Sequence, residues 1–463
     1  MEPRFKDCDR NTLFLMPPSV NDWVPENHLS RFVVDIVNRL DLSPIRNAYA
    51  GRGSDAYPPS MMVALLFYAY ATGVFSSRKI ERATYDSVAF RYIAANTHPD
   101  HDTIASFRKR FLKELKALFV QILLIAHEME VLKLGSVSLD GTKIKANASK
   151  HHALSWDYAR KLEKQLKDEI SELLRKAKQA DKEDLPDGMN IPEELARRES
   201  RLQAIATAKA QIEQRAAERF AKEQQAYEEK FAARKAKEKE TGKKPKGRSP
   251  VPPKPGPKSK DQVNFTDSDS RIMPSQGGGF EQAYNGQAAV DIDSMLIVGN
   301  HITQQSNDKL EITPALENLS RLPNKIGTVE KLLADTGYFS TDNVKKCETD
   351  DIVPYIPGSR QRHNTPLMDR FTEPEPLTGP ADPVTEMNHR LKTIAGKAIY
   401  AKRKSTIEPA FGIIKAVMGF RQFFLRGLDQ ISGEWNLVCM AYNIKRLYAL
   451  SSPYCQRTMN IKA

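Results

Sequence analysis

The pattern of apolar and polar positions divides the chain into stretches of different period. Up to about residue 130 the period is helical. "HLSRFVVDIVNRL" sets Phe32, Val33, Ile36, Val37 and Leu40 on one face. "PPSMMVALLFYAYATGV" opens on Pro-Pro-Ser and then runs almost wholly apolar, which predicts a helix buried on every side. In "HPDHDTIASFRKRFLKELKALFVQILLIAHEM", Asp102 or Thr103 is the expected cap of a helix whose first turns carry Arg108, Lys109 and Arg110. Such a basic face suits a groove-reading or phosphate-gripping element, and it equally suits a solvated surface.

At Leu134 the period changes. In "LGSVSLDGTKIKANAS", Val137 and Leu139 alternate with serines before Asp140-Gly141, a strand with an acid where its polarity switches. Helical spacing then returns in a charge-rich background. Leu162, Leu166, Ile170 and Leu173 form one stripe, and Leu202, Ile205, Ile212, Ala216 and Phe220 another, with Pro and Gly of "EDLPDGMNIPEE" between them. This predicts an antiparallel helical hairpin over 155–225. The following "KAKEKETGKKPKGRSPVPPKPGPKSK" is too rich in Pro, Gly and Lys for a packed core and predicts a flexible basic linker over 226–262.

Alternation resumes in "QAYNGQAAVDIDSMLIVGNHITQQ", which reads as a β-hairpin. A helix ("DKLEITPALENLSRL"), a strand ending in "LLADTGYFS", a short helix and the strand "DIVPYIP" follow. Residues 358–390 read as loop, and the helices "KSTIEPAFGIIKAVMGF" and "GEWNLVCMAYNIKRLYAL" close the chain. The expected fold is a mixed α/β sheet with a helical region before it and a helical excursion after its first strand.

Charge refines this picture. Lys and Arg number 70 against 58 Asp and Glu, a net +12. Twelve of the cations and two of the acids lie between Lys230 and Lys260, so that window holds +10 of the surplus. A polyanionic partner is expected, nucleic acid before membrane surface. The four cysteines (Cys8, Cys347, Cys439, Cys455) make no CxxC and predict reduced structural thiols. The polar start "MEPRFKDCDR" and the lack of a long apolar run predict a soluble intracellular protein. The triple glycine Gly277–Gly279 lacks the Gly-Lys-Ser/Thr ending of a nucleotide loop.

Asp140 lies on the first strand and Asp335 at the end of a later one. Glu408 lies beside the helical stripe Ile407, Phe411, Ile414 and Met418. These acids are 195 and 73 residues apart along the chain, and spacing alone does not single them out. Asp335 could equally be a helix cap.

In combination these motifs resemble the DDE transposases of bacterial insertion sequences, in the branch whose catalytic domain is RNase H-like. "SLDGTKIKANAS" is similar to that family's first catalytic-Asp segment, and "FTDSDSRIM" with "YNGQAAVD" to its second and third strands. "LLADTGYFS" is similar to its second Asp segment, and "YAKRKSTIEPAFGIIKAVMGFRQFFLRG" to its Tyr-Arg-Glu-Lys signature. The resemblance implies that Asp140, Asp335 and Glu408 are the catalytic acids and hold two Mg²⁺ ions, with Mn²⁺ able to substitute. Such a pair ~4 Å apart would clamp the attacking and leaving oxygens of a phosphoryl displacement. It also implies that Tyr400, Arg403 and Lys415 grip DNA. Four residues separate Arg403 from Glu408 where the related group has three, so Lys404 is a rival for the basic role.

The implied organisation is a helical DNA-binding domain (1–130), the first part of an RNase H-like domain (131–154), the hairpin (155–225), the linker (226–262), the rest of the catalytic domain (263–450) and a tail (451–463). The implied activity is cleavage at the terminal inverted repeats of the element, followed by transfer of the 3′-OH into double-stranded target DNA. A homo-oligomer in the bacterial cytoplasm, associated with the nucleoid, would hold the two ends. A nuclease without strand transfer, and a catalytically silent DNA-binding derivative, are the alternatives.

Overall fold

The helix expected at "PPSMMVALLFYAYATGV" forms over Pro59–Ala71 in the computed structural model, started by Pro at its first turn, and every side chain from Met62 to Ala71 is buried. The described residues are 19–49, 56–180, 191–242, 247–275, 277–359, 372–377 and 379–451, without the side chains of 177–180 and 191. Cys8, Cys455, His363, most of the Pro/Gly break before residue 191 and the tail beyond 451 lie outside them. Two compact units are present, one made of Met1–Ala146 with Ala283–Ala463 and the other of Asn147–Gln282.

The first unit begins with helices α1 (Leu29–Asn38), α2 (Ser43–Asn47), α3 (Pro59–Ala71), α4 (Ser77–Asp86), α5 (Val88–Ile93), α6 (His101–Arg110) and α7 (Leu112–Glu128), then strand β1 (Leu134–Lys145). In the second unit come β2 (Ala153–Ser155), α8 (Trp156–Ala180), α9 (Ile191–Thr241), β3 (Gln262–Asn264), β4 (Arg271–Pro274) and the start of β5 (Phe280–Asp291). The first unit resumes within β5 and adds β6 (Ile297–Thr303), α10 (Ile312–Ser320), β7 (Gly327–Ala334), α11 (Thr341–Thr349), β8 (Val353–Tyr355), α12 (Pro383–Arg390), α13 (Ile394–Gly412) and α14 (Leu428–Ser451).

The sheet of the first unit runs in the order β6-β5-β1-β7-β8. β6, β5 and β1 pair antiparallel, and β1, β7 and β8 pair parallel. α14 covers it with a nearly continuous buried face. The Trp435 ring lies where a side chain on Gly286 of β5 would have to be, with a Cβ only 3.1 Å from the ring. Trp435 Nε1 also donates to Gln287 O at 3.0 Å. Asn443 behaves like a strand residue, accepting from Ile297 N (2.8 Å) and donating to Ile297 O (2.7 Å).

The N-terminal helices belong to the same compact unit as the sheet. One buried polar chain ties them. Arg108 Nη1 donates to Tyr70 OH (2.9 Å) and Phe75 O (3.0 Å), and Tyr70 OH donates to Glu434 Oε1 (3.1 Å). Glu434 Oε2 accepts from Phe424 N and Leu425 N, each at 3.0 Å. Burial pushes the Glu434 carboxyl above its ordinary pKa, although these N–H groups and Arg108 oppose the shift. Arg108, expected on a DNA-facing surface, is therefore an interior residue. It shares the buried stripe of Ile104, Phe107 and Phe111, one helical face.

Four other expectations need correction. The cap of α6 is Asp100, which accepts from Thr103 N at 2.7 Å, so the basic run ends that helix instead of starting it. Residues 383–390 are helical, with Asp382 as cap and Pro383 at the first position. The second hairpin helix does not end near 225 but runs to Thr241. The Pro-rich stretch after it returns along α9, tied by Arg219 to Asp261 (2.8 Å, both oxygens) and by Arg234 to Gly247 O (2.8 Å). It is a strap held by side chains. Leu154, Ala159, Leu166, Ile205, Ala208, Ile212 and Val263 form the core of this second unit.

Arg108→Met should lower stability by about 3–5 kcal/mol, because it leaves Glu434 buried without its counter-charge. Lys109→Met, one residue on at an exposed position, should change it by less than about 0.5 kcal/mol. Urea denaturation of the two variants checks this, and equal midpoints would contradict the interior role of Arg108.

Candidate active site

Strand register brings the first two acids together. Leu139 of β1 stands beside Ala334 of β7, the last pair of that parallel ladder, so the next residues, Asp140 and Asp335, leave it side by side. β1 continues to Lys145 against β5, whereas β7 stops. Asp335 then caps a 3₁₀ turn over Thr336–Tyr338, its Oδ1 accepting from Gly337 N at 2.8 Å. Capping and presentation of a carboxylate at the end of the strand are thus combined in one residue.

Asp140 is largely buried, and its carboxyl is pushed up to about 6. Burial is the main cause. The Gly141 N–H (2.8 Å) and Arg403 oppose it, while the charges of Asp335 and Asp308 add to it. α13 supplies the counter-charge. Arg403 Nη1 lies 3.2 Å from Asp140 Oδ2, and Nη2 lies 3.8 Å from Glu408 Oε1. Arg403 is buried and Glu408 is mostly exposed, so one guanidinium bridges the first and third acids.

Lys404, the rival for the basic role, is exposed and has no such contact. Tyr400, half-buried on the same helix, is pushed up by burial; Arg403 opposes the shift and the Asp335 and Asp140 charges add to it. Lys415 does not continue the α13 helix in phase. It sits in a π-helical turn over Ile413–Val417, and its amine donates to Lys143 O on β1 at 3.0 Å. Burial, with Lys143 nearby, lowers its pKa. Lys109 and Arg110 are exposed; Arg110 stacks over Tyr49 and donates to Ala48 O at 2.6 Å. α6 therefore adds no residue to this cluster.

Five residues of the cluster were not anticipated. Asp308 Oδ1 accepts from Asn285 Nδ2 (2.6 Å) and Gln287 Nε2 (2.7 Å), and Lys143 Nζ is 3.6 Å away. Tyr338 OH donates to Gln287 Oε1. Any side chain on Gly141 would collide with this bed, its Cβ falling 2.2 Å from Gln287 Nε2 and 2.6 Å from Asp308 Oδ1. The segment beside Asp140 is thereby linked to the turn that follows Asp335. The available signal was two uncharged polar residues, Asn285 and Gln287, flanking a glycine in the middle of a strand.

Asp140, Asp335 and Glu408 offer only oxygen donors, as a hard divalent cation requires, and a cation would relieve the penalty on Asp140. The donor set fits such an ion. Among the described residues no three His, Cys, Asp or Glu groups are close enough to hold a metal as they stand, since Arg403 occupies the place between two of the acids.

The transposase domain family DUF772 matches residues 18–110, and the transposase DDE domain matches residues 254–444. The chain belongs to the DDE transposases of insertion elements. The transposase is thus an enzyme that acts on DNA by phosphoryl transfer, in a family that generally uses divalent metal ions. The second match begins after the helical excursion, so Asp140 is outside it and its assignment rests on strand register. No curated protein and no solved structure matches the chain. No helix among the described residues is long and apolar enough to cross a membrane.

With metal chelated, stability should depend on the titration of Asp140. Its folded pKa of about 6 exceeds the ordinary 3.8, so the folded state binds the proton more tightly. Its contribution to stability is then greatest below about pH 4 and is lost as pH rises towards 6, by about 3 kcal/mol in all. Asp140→Asn should therefore raise the melting temperature at pH 7.5 and have little effect near pH 4. An equal shift at both values would contradict this account.

Proposed function

We propose that the sheet of the first unit is an RNase H-like catalytic core and that the transposase cuts at the terminal inverted repeats of its element and joins the freed ends to target DNA. The observation that carries this reading is the pairing of Asp140 with Asp335 at the end of the β1–β7 ladder, with Glu408 reached through Arg403. The sheet order β6-β5-β1-β7-β8, with three antiparallel strands followed by two parallel steps, supports the RNase H-like assignment.

Asp140, Asp335 and Glu408 would hold two Mg²⁺ ions, with Mn²⁺ able to replace them. The ions would supply charge stabilisation to the attacking and leaving oxygens. The protein's residues supply position. The Asn285–Gln287–Asp308 bed holds the β1 segment beside Asp140 against β5, and Tyr338 holds the turn after Asp335 to the same bed. Arg403 neutralises the acids in the protein alone and offers a planar fork for a phosphate when DNA binds. Tyr400 and Lys415, on either side of it along the chain, would contact the flanking backbone.

In the first reaction water attacks the phosphorus at the element end, the bond to the 3′ oxygen breaks, and a 3′-OH is freed. In the second, that 3′-OH attacks a target phosphodiester and displaces the target's own 3′ oxygen. One chain carries one such site and an element has two ends, which supports a homo-oligomer.

Incubation with Mg²⁺ or Mn²⁺ and DNA carrying the sequences that flank the gene should give cuts at defined ends and joined products. Asp335→Ala should abolish both, by at least a hundredfold. Cutting without joining would remove strand transfer from the proposal, and unchanged cutting by Asp335→Ala would overturn the site.

A further inference from the structure

The second unit divides into a part whose charges are paired and a part where cations outnumber acids, twelve to two between Lys230 and Lys260. Along α8 and the near half of α9, cations meet acids. Arg198 lies 2.8 Å from Glu169, Lys209 lies 2.7 Å from Glu163, and Arg197 contacts both Glu193 and Glu194. These pairs bring the start of α8 level with the neighbourhood of Ala216. Beyond that point α9 continues to Thr241 past the start of α8, and the strap runs along it. Asp261 meets Arg219, Lys258 lies 3.5 Å from Glu223, and Gly247 O meets Arg234. Stretches far apart in the sequence thus lie side by side, in antiparallel register.

Here the pairing of charges largely ends. Lys230, Lys237, Lys239, Lys254 and Lys260 are exposed, and none lies within ion-pair distance of a described carboxylate. Lys235 is 4.7 Å from the Phe231 ring. Among the described residues of this part the exposed large apolar ones are few, Phe231 and Val251, and form no apolar face. The distance from Arg219 to Thr241 is about 33 Å, which is about one turn of duplex DNA.

We propose that the far half of α9 and its strap form an additional DNA-binding surface of the transposase, which grips the phosphate backbone of duplex DNA along about one turn without reading bases. The proposal rests on the chain acting on DNA, and it does not require the acids to be catalytic. Lysines serve this purpose as mobile point charges, and the strap holds two rows of them close together.

Full-length protein and a variant with Lys237, Lys239, Lys254 and Lys260 changed to Gln would be compared for binding to a 30-base-pair duplex across a KCl series, by fluorescence anisotropy. Each phosphate contact contributes about 0.9 to the slope of log affinity against log salt. Loss of four should flatten the slope by about 3 to 4, so that between 50 and 200 mM salt the wild type loses roughly a hundredfold more affinity than the variant. The same four positions changed to Arg should keep the wild-type slope. An unchanged slope in the Gln variant, with the far-ultraviolet circular dichroism of the wild type, overturns the proposal. So does a slope change seen with single-stranded RNA and not with the duplex. Because Asp335→Ala should keep the full slope while failing to cut, loss of the active-site reading and loss of this surface give different results.

Discussion

Two carboxylates that repel each other are held at the end of a buried ladder, and much of the first unit can be understood as the means of holding them there. Asp140 and Asp335 are neighbours because β1 and β7 are parallel and in register up to Leu139 and Ala334. Val137, Ser138 and Leu139 of β1 and Leu332, Leu333 and Ala334 of β7 are all buried, so both faces of the ladder are covered at this end. The electrostatic cost falls on Asp140, the more buried of the two. Arg403 meets part of it, and the family's divalent ions would meet it more fully.

The other demand is rigidity, and it is met by polar groups buried where apolar ones would be cheaper. Asn285, Gln287 and Asp308 form one such bed, closed by Tyr338 and made possible by the missing side chain of Gly141. Glu434, Tyr70 and Arg108 form another, which joins α3 and α6 to α14. A network of this kind specifies one arrangement, because a slipped alternative leaves a charge or a donor unsatisfied. α14 bears on both, since it carries Glu434 and also the Trp435 ring that packs on Gly286.

Much of this was legible from residue patterns. The all-apolar run of α3, the alternation in β1 and β5, and the abrupt acid after "LLA" each report a local period or its end. What pattern could not supply was phase and distance. "FRKRF" reads as a basic face, yet the helical phase of Ile104, Phe107 and Phe111 turns Arg108 inward. Asp308 looked like any loop acid because its partners lie more than twenty residues away on β5 and on β1. Composition misled at 226–262. Helix formers there extend α9, and the prolines, which cannot form a helix, still permit an extended strap tied by arginines. The π-helical turn that displaces Lys415 from the α13 spiral has no signature in the residues themselves.

The insertion also gives the active site a history during synthesis. β1 is central in the sheet, yet both neighbours with which it pairs are made after the whole second unit. Asp140 leaves the ribosome 195 residues before Asp335. At about 5–20 residues per second that is a delay of roughly 10–40 s. Until β5 is made, β1 has two unpaired edges, and until β7 follows it keeps one, while α8 and α9 can already close on each other. The strand that carries the first acid is therefore among the earliest parts of the sheet to be made, and it must wait for its place.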